Sequence, residues 1–383
     1  MIYSIPYVLL IILFGVLAIY YHNTEDSSSK RTIRIVCALI LIFFFGFRGY
    51  ICDDWIAYYP AFQKCTPEYI NFNPFEYNIK WAFEPGFTIL MCLCKSIVDD
   101  FQFFSFVCTV INTFLLFRFF NKRIDNLPLG IILYLCFGGY IMNTNLMRNS
   151  IAILIFINAL EYIEKRKPLQ YFSLCLLALS FHISSICYFP LYFFFQRKYS
   201  KWIYLGLFAV GNIIFILRIP IFITIMSFVL GDSEGKIQLM VDGYTEKYDS
   251  STTISIGYIE RLMTGLLIFC YYDKLVKIRK ENIIFINAYI VYFLMFFLLS
   301  EFNIISLRMS GLFTFAYWII WYDFLKCFSI NNNKKLYIAF VTLYCIMKMI
   351  GTTNMITSQY DNILFGSKSY EERLYIHNRY SKN

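Results

Sequence analysis

Apolar runs of about 15 to 20 residues recur along this chain, separated by short basic or aromatic connections, and that rhythm admits few folds. The run from Ile2 to Tyr20 comes first and the run from Leu336 to Ile350 comes last. Such runs read as membrane segments. Composition agrees: charged residues are 15% of the chain and hydrophobic ones 59%, whereas a soluble domain carries about 25% charge. The expected fold is all-α, a polytopic transmembrane helix bundle of about 10–12 membrane segments, some broken or re-entrant. Residues 1–350 are expected as a single transmembrane domain with outer loops at 50–83 and 231–255, and residues 351–383 as a C-terminal tail.

The net charge of +9 is no nucleic-acid signal. Lysines and arginines sit in short clusters between apolar runs, as in loops that stay cytoplasmic. Lys30-Arg31, Lys165-Arg166-Lys167 and the run Lys274–Lys280 mark that side, so the bilayer and its anionic lipids are the expected partners. The first run lacks a basic leader and a small-residue cleavage site, and reads as a retained span. The tail's basic residues favour the inside, although the last crossing leads outward. Most of the twelve cysteines lie within apolar runs and behave as small hydrophobes. Cys52 and Cys65 share one loop and are candidates to pair in an oxidising space. Cys92 and Cys94, two apart on a helix, diverge and suit no metal. No Walker loop, GxSxG elbow, HExxH or metal-ligand spacing occurs, so neither cofactor nor metal is expected.

Ionisable residues inside such sequence are costly, about 2.5–3.5 kcal/mol at a helix centre, and usually serve a polar cavity or a substrate. Arg148 opens one apolar run and His182 interrupts another. The run from Leu169 to Phe195 has basic residues at both ends and fits a hairpin with its tip near His182. Glu84–Val98 is short for a crossing and reads as a partial or re-entrant insertion. With these placements Arg48, Asp53, Asp54, Glu84, Arg148, His182, Glu260, Arg261, Glu301 and Arg308 gather at one surface, the outer one. Arginine forks bind phosphate oxygens bidentately; a histidine or carboxylate beside them can move protons. Plainer roles compete. Arg148 could snorkel at a helix end, Glu84 could be an N-terminal helix charge, and His182 could bond a carbonyl at a helix break. Asp53-Asp54 could be a solvated turn and Glu260-Arg261 a local pair.

The ordered motifs GFRG at 46–49, DD-W-x-x-YY at 53–59, EPGF at 84–87, RNSIAILIF at 148–156, LALSFHISS at 177–185 and LRMSGLF at 307–313 resemble the EpsG family of Wzy-like polysaccharide polymerases. Where that family usually has glutamine after the arginine, this chain has Asn149. The resemblance implies an integral membrane glycosyltransferase of GT-C-like architecture in the bacterial cytoplasmic membrane, working on its outer side in capsule, exopolysaccharide or O-antigen synthesis. It would transfer a growing glycan from undecaprenyl diphosphate to another lipid-linked repeat unit. Arg148, Arg308 and Arg48 become diphosphate-binding candidates. Asp53, Asp54, Glu84 and His182 become catalytic candidates, and Trp55 and Tyr58 could stack on sugars. A flippase and a chain-length regulator are the implied partners. The alternatives are a flippase or transporter of lipid-linked sugar and a membrane acyltransferase acting on the glycan.

Overall fold

The computed structural model describes residues 2–70, 83–222, 224 and 255–380. Among them every regular element is helical, and β-pairing is confined to isolated bridges such as Arg48 with Asn362. The chain forms two compact units, Met1–Tyr192 with Ile330–Asn383, and Phe193–Ser329.

The first unit begins with α1 (Ile5–Asn23) and α2 (Ser27–Leu41), joined by a turn in which Asp26 caps α2. The Asp26 carboxylate accepts from the Ser29 hydroxyl and from the amides of Ser29 and Ser28, which holds it below the usual carboxylate range. The short α3 (Trp55–Lys64) lies within the aromatic loop, with Trp55, Tyr58, Ala61 and Phe62 buried, which explains that loop's composition. Then come α4 (Pro85–Ile97), opened by proline at its first position, and α5 (Phe101–Phe120), capped by Asp100. The apolar run from Leu127 carries a kink: α6 (Leu127–Tyr134) passes through it into α7 (Tyr140–Thr144). Gly138, at φ 95°, takes up the left-handed turn there.

Next come α8 (Met147–Glu164) and α9 (Pro168–Phe181). Residues 149–160 of α8 are all buried, as expected for a helix apolar on every face. Polar contacts tie it to α5: Asn112 Nδ2 donates to Ser150 Oγ (3.0 Å) and Asn158 Nδ2 to the Leu115 carbonyl (2.9 Å). After α9 the chain breaks at extended His182 and continues as a 3₁₀ stretch, Ile183–Phe193. The Tyr171 hydroxyl donates to the Tyr188 carbonyl at 2.6 Å, and the Phe172 and Phe189 rings stack at 6.1 Å. The two arms therefore run antiparallel, with the tip at residues 180–183.

The second unit holds α10 (Lys201–Ile216), α11 (Ile256–Ile278), α12 (Asn282–Leu298), α13 (Asn303–Gly311) and α14 (Phe315–Cys327). Buried Asp323 anchors one end, accepting from Arg279 Nη2 at 2.6 and 2.8 Å and from Asn282 Nδ2 at 3.0 Å. The chain bends by 63° between α13 and α14. Phe313, Thr314 and Tyr317 bond to carbonyls three residues back, the tighter 3₁₀ pattern that turns the chain. Most of the expected outer loop at 231–255 lies outside the described residues.

The chain closes in the first unit with α15 (Asn331–Thr353) and α16 (Tyr370–Tyr380). Among the described residues, four helical stretches are long and apolar enough to cross a membrane: Ile2–Asn23, Phe101–Phe120, Leu127–Thr144 and Asn331–Thr353; the bent pair would be a fifth. Shorter apolar helices accompany them, Pro85–Ile97, Pro168–Phe181, Lys201–Ile216 and Asn282–Leu298 among them. The protein is an integral membrane helical bundle in which short and broken segments are common.

Candidate active site

The N-terminus of α8 organises one end of the first unit. Arg148 sits on its first turn, and the basic turn Lys165–Lys167 lies at the other end, roughly 25 Å away at 1.5 Å per residue. At that far end Glu161 is held between Lys122 and Lys165, and Arg123 pairs with Glu164 at 2.6 Å.

Two neighbours orient the Arg148 guanidinium. Nη1 donates to Glu84 Oε2 at 2.5 Å, and Nε donates to the Tyr58 hydroxyl at 3.0 Å. The Phe83 ring lies against it, 4.5 Å from centroid to Cζ. Glu84 has a second task. Its Oε1 accepts the Ile183 amide at 2.9 Å, a backbone donor exposed by the break at His182. The Glu84 side chain is 6% exposed and that of Arg148 23%. The carboxylate is thus spent on an arginine and a hairpin tip, while the arginine still faces solvent or ligand. Of its five N–H donors, Nη2 makes no hydrogen bond to the described residues.

EPGF gains a physical meaning here. Glu84 binds the tip, Pro85 starts α4, and Phe87 is fully buried. A Cβ on Gly86 would stand 2.4 Å from Ser180 Oγ and 2.8 Å from the Ser180 carbonyl, so only glycine lets α4 approach the end of α9. The tip is bound to α8 as well. His182 Nδ1 lies 2.7 Å from Ser184 Oγ and accepts the Ser184 amide at 3.2 Å, while Ser184 Oγ donates to Asn149 Oδ1 at 3.3 Å. The shorter amide of Asn149 therefore still reaches the tip.

Asp53 and Asp54 stand at the start of α3. Asn145, just before α8, accepts both of their backbone amides at 2.9 Å. The Asp53 carboxylate is half-exposed and faces His377 of α16 at 3.2 Å. Asp54 is one helical turn from Tyr58. Arg48 is buried and donates to the Phe45 carbonyl at 2.6 Å. Trp55 is only 5% exposed, its indole N–H bound to the Cys52 carbonyl and its ring 5.4 Å from that of Tyr370. It offers a sugar no face while Tyr370 stays there. Arg308 belongs to the second unit, exposed on α13 just before the bend. In that unit Arg261 is buried, 3.6 Å above the Phe296 ring, and Glu301 accepts the Phe222 amide at 2.6 Å.

The structure brings together Glu84, Arg148, His182 and Tyr58, and sets Asp53, Asp54 and Arg48 on the same end of the first unit. Sequence reasoning missed Asn145, Ser184 and the tail. The tail packs on this end: Cys52 N donates to the Thr357 carbonyl (2.9 Å), Gly49 N to the Asp361 carbonyl (3.1 Å), and Tyr59 stacks on Tyr370 at 4.2 Å. A Cβ on Gly49 would lie 2.1 Å from Asp361 Oδ1, which accounts for the second glycine of GFRG. Cys52 and Cys65 do not meet: the Cys52 thiol lies 3.2 Å from the Tyr140 hydroxyl, and Cys65 lies beside Cys92.

Fold and site together define a polytopic membrane protein with an arginine held by a carboxylate at the mouth of a largely buried helix. The EpsG family model matches residues 31–364, so the chain belongs to the EpsG family and is a membrane protein of polysaccharide-polymerase-like type. No curated protein and no solved structure matches it.

Proposed function

We propose that this protein is a glycosyltransferase that polymerises lipid-linked repeat units on the outer side of the bacterial cytoplasmic membrane. A growing glycan leaves undecaprenyl diphosphate and passes to a sugar hydroxyl of a second lipid-linked unit. The observation that carries this reading is the Tyr58–Arg148–Glu84–Ile183 linkage. An arginine aimed and partly neutralised by one carboxylate, with no hydrogen bond from Nη2 to the described residues, suits a diphosphate that must be gripped as negative charge grows on the leaving oxygen.

In this reading Glu84 is a positioning residue, because both its oxygens are engaged. His182, at the hairpin tip next to the Ile183 amide that Glu84 binds, is a candidate base or phosphate partner, and Asp54, with Asp53 beside it, takes the acceptor proton. Arg308 is the second diphosphate candidate on the strength of its motif and exposure. Capsule, exopolysaccharide or O-antigen is the product class, and a flippase and a chain-length regulator are the functional partners.

Arg148→Ala in the native cell tests the reading. Single repeat units should still reach the outer face on their lipid while long chains disappear. Loss of outer-face single units would instead identify a flippase and overturn the polymerase reading.

A further inference from the structure

We infer that Cys65 and Cys92 form an intramolecular disulfide in the cell, clamping α3 to α4 behind the Arg148 site. Cys65 directly follows α3 and Cys92 lies midway along α4, and their sulfurs are 2.7 Å apart. The junction is built around them. Lys95 Nζ, from the same helix as Cys92, donates to the carbonyls of Phe62 (3.1 Å) and Gln63 (2.6 Å), so an α4 cation caps the C-terminal end of α3. Cys65 Sγ also reaches the Thr88 carbonyl at 3.9 Å. Cys94, two residues on from Cys92, turns into the core.

The two helices so joined approach Arg148 from different directions, α3 through Tyr58 and α4 through Glu84 at its N-terminus. A bond between positions 27 residues apart closes the segment between them into a loop and limits how far the two elements can separate. Arg148 then keeps both partners when a charged substrate pulls on it.

The oxidant is the disulfide of a thiol–disulfide exchange carrier. The Cys65 thiolate attacks one carrier sulfur and releases a carrier thiolate. The Cys92 thiolate then attacks the Cys65 sulfur of the mixed disulfide and releases the second. Both protein thiol protons pass to solvent, the protein sulfurs are oxidised, and the carrier is reduced to a dithiol. The inference rests on the outward reading of the 50–83 loop, because cytoplasmic thiols stay reduced.

Three measurements on the full-length protein test it. Cells lysed in N-ethylmaleimide should yield a peptide pair joined through Cys65 and Cys92, lighter by two hydrogens and absent from Cys92→Ser. The reduced protein in detergent should form the same link with oxidised glutathione, whichever way the loop faces. Glu68→Cys, at an exposed position in the same loop, should react with an impermeant maleimide on intact cells. No link with glutathione overturns the geometry. Free Cys65 and Cys92 in lysates of cells whose Glu68→Cys labels from outside overturn the disulfide alone. Free thiols with Glu68→Cys unlabelled overturn both the disulfide and the outward reading.

Discussion

Glu84→Gln separates a positioning carboxylate from a catalytic base. The amide keeps its one oxygen for the Ile183 N–H at 2.9 Å, but its NH2 then faces Arg148 Nη1, donor against donor, and the charge-assisted hydrogen bond at 2.5 Å is lost. A charge-assisted hydrogen bond contributes about 1.5–3 kcal/mol, so losing it costs on that order. If all of that falls on the alignment of Arg148, polymerisation slows roughly ten- to a hundredfold. Glu84→Ala is harsher. It strands both the Ile183 amide and a guanidinium that is only 23% exposed, a loss of about 3–5 kcal/mol for a broken buried pair. General-base catalysis contributes about 10²–10⁴-fold, so a base at this position makes glutamine and alanine equally inactive. The assay is chain formation from a lipid-linked repeat unit by purified protein in nanodiscs, with thermal stability measured alongside. Activity for Glu84→Gln at background level, with unchanged stability, would refute the positioning role.

Tyr58→Phe removes the hydroxyl bound to Arg148 Nε and should slow polymerisation about fivefold, a loss of about 1 kcal/mol, with little change in melting temperature. Gly49→Ala drives a methyl group into the Asp361 carboxylate and should destabilise the protein by about 1–3 kcal/mol, read as a lower melting temperature; an unchanged value contradicts the docked tail. Lys122→Ala with Lys165→Ala, at the far end of α8, should leave polymer length unchanged in cells that express it normally. Asp26→Ala should be less stable than the parent near neutral pH. Because the folded-state Asp26 carboxylate lies below its unfolded value, its contribution is present above the unfolded carboxylate range and lost as pH falls through the folded one. Chemical-denaturation curves from pH 7 to pH 3 should therefore converge.

Long apolar runs announced the helices, and the basic pair of flanks around Leu169–Phe195 announced a hairpin turning near His182. Both signals are carried by transfer free energy, which every residue of a run contributes. Breaks were less legible. The bend after Gly311 and the kink at Gly138 arise inside continuous apolar sequence, where hydropathy is blind to a local change of hydrogen-bond register. Of the site, Arg148, Glu84 and His182 stood out because charge in such surroundings is rare. Their division of labour did not, since only geometry reveals that Glu84 spends one oxygen on Arg148 and the other on the Ile183 amide. Asn145 and Ser184 carry no such signal, being ordinary polar residues near helix ends. The tail's docking was not legible, because its charge and the direction of the last crossing pointed to different sides, whereas Asp361, Tyr370 and His377 fix it by contacts to residues far away in the chain.

The central claim is that Arg148, set by Glu84 and Tyr58, holds the diphosphate while glycan is transferred. Its most direct test is release of lipid diphosphate by purified protein in nanodiscs given a single synthetic lipid-diphosphate-linked repeat unit. The parent protein should release it in step with a growing glycan ladder, and a folded Arg148→Ala protein should release none above background. A ladder of equal length and rate from Arg148→Ala would contradict the account.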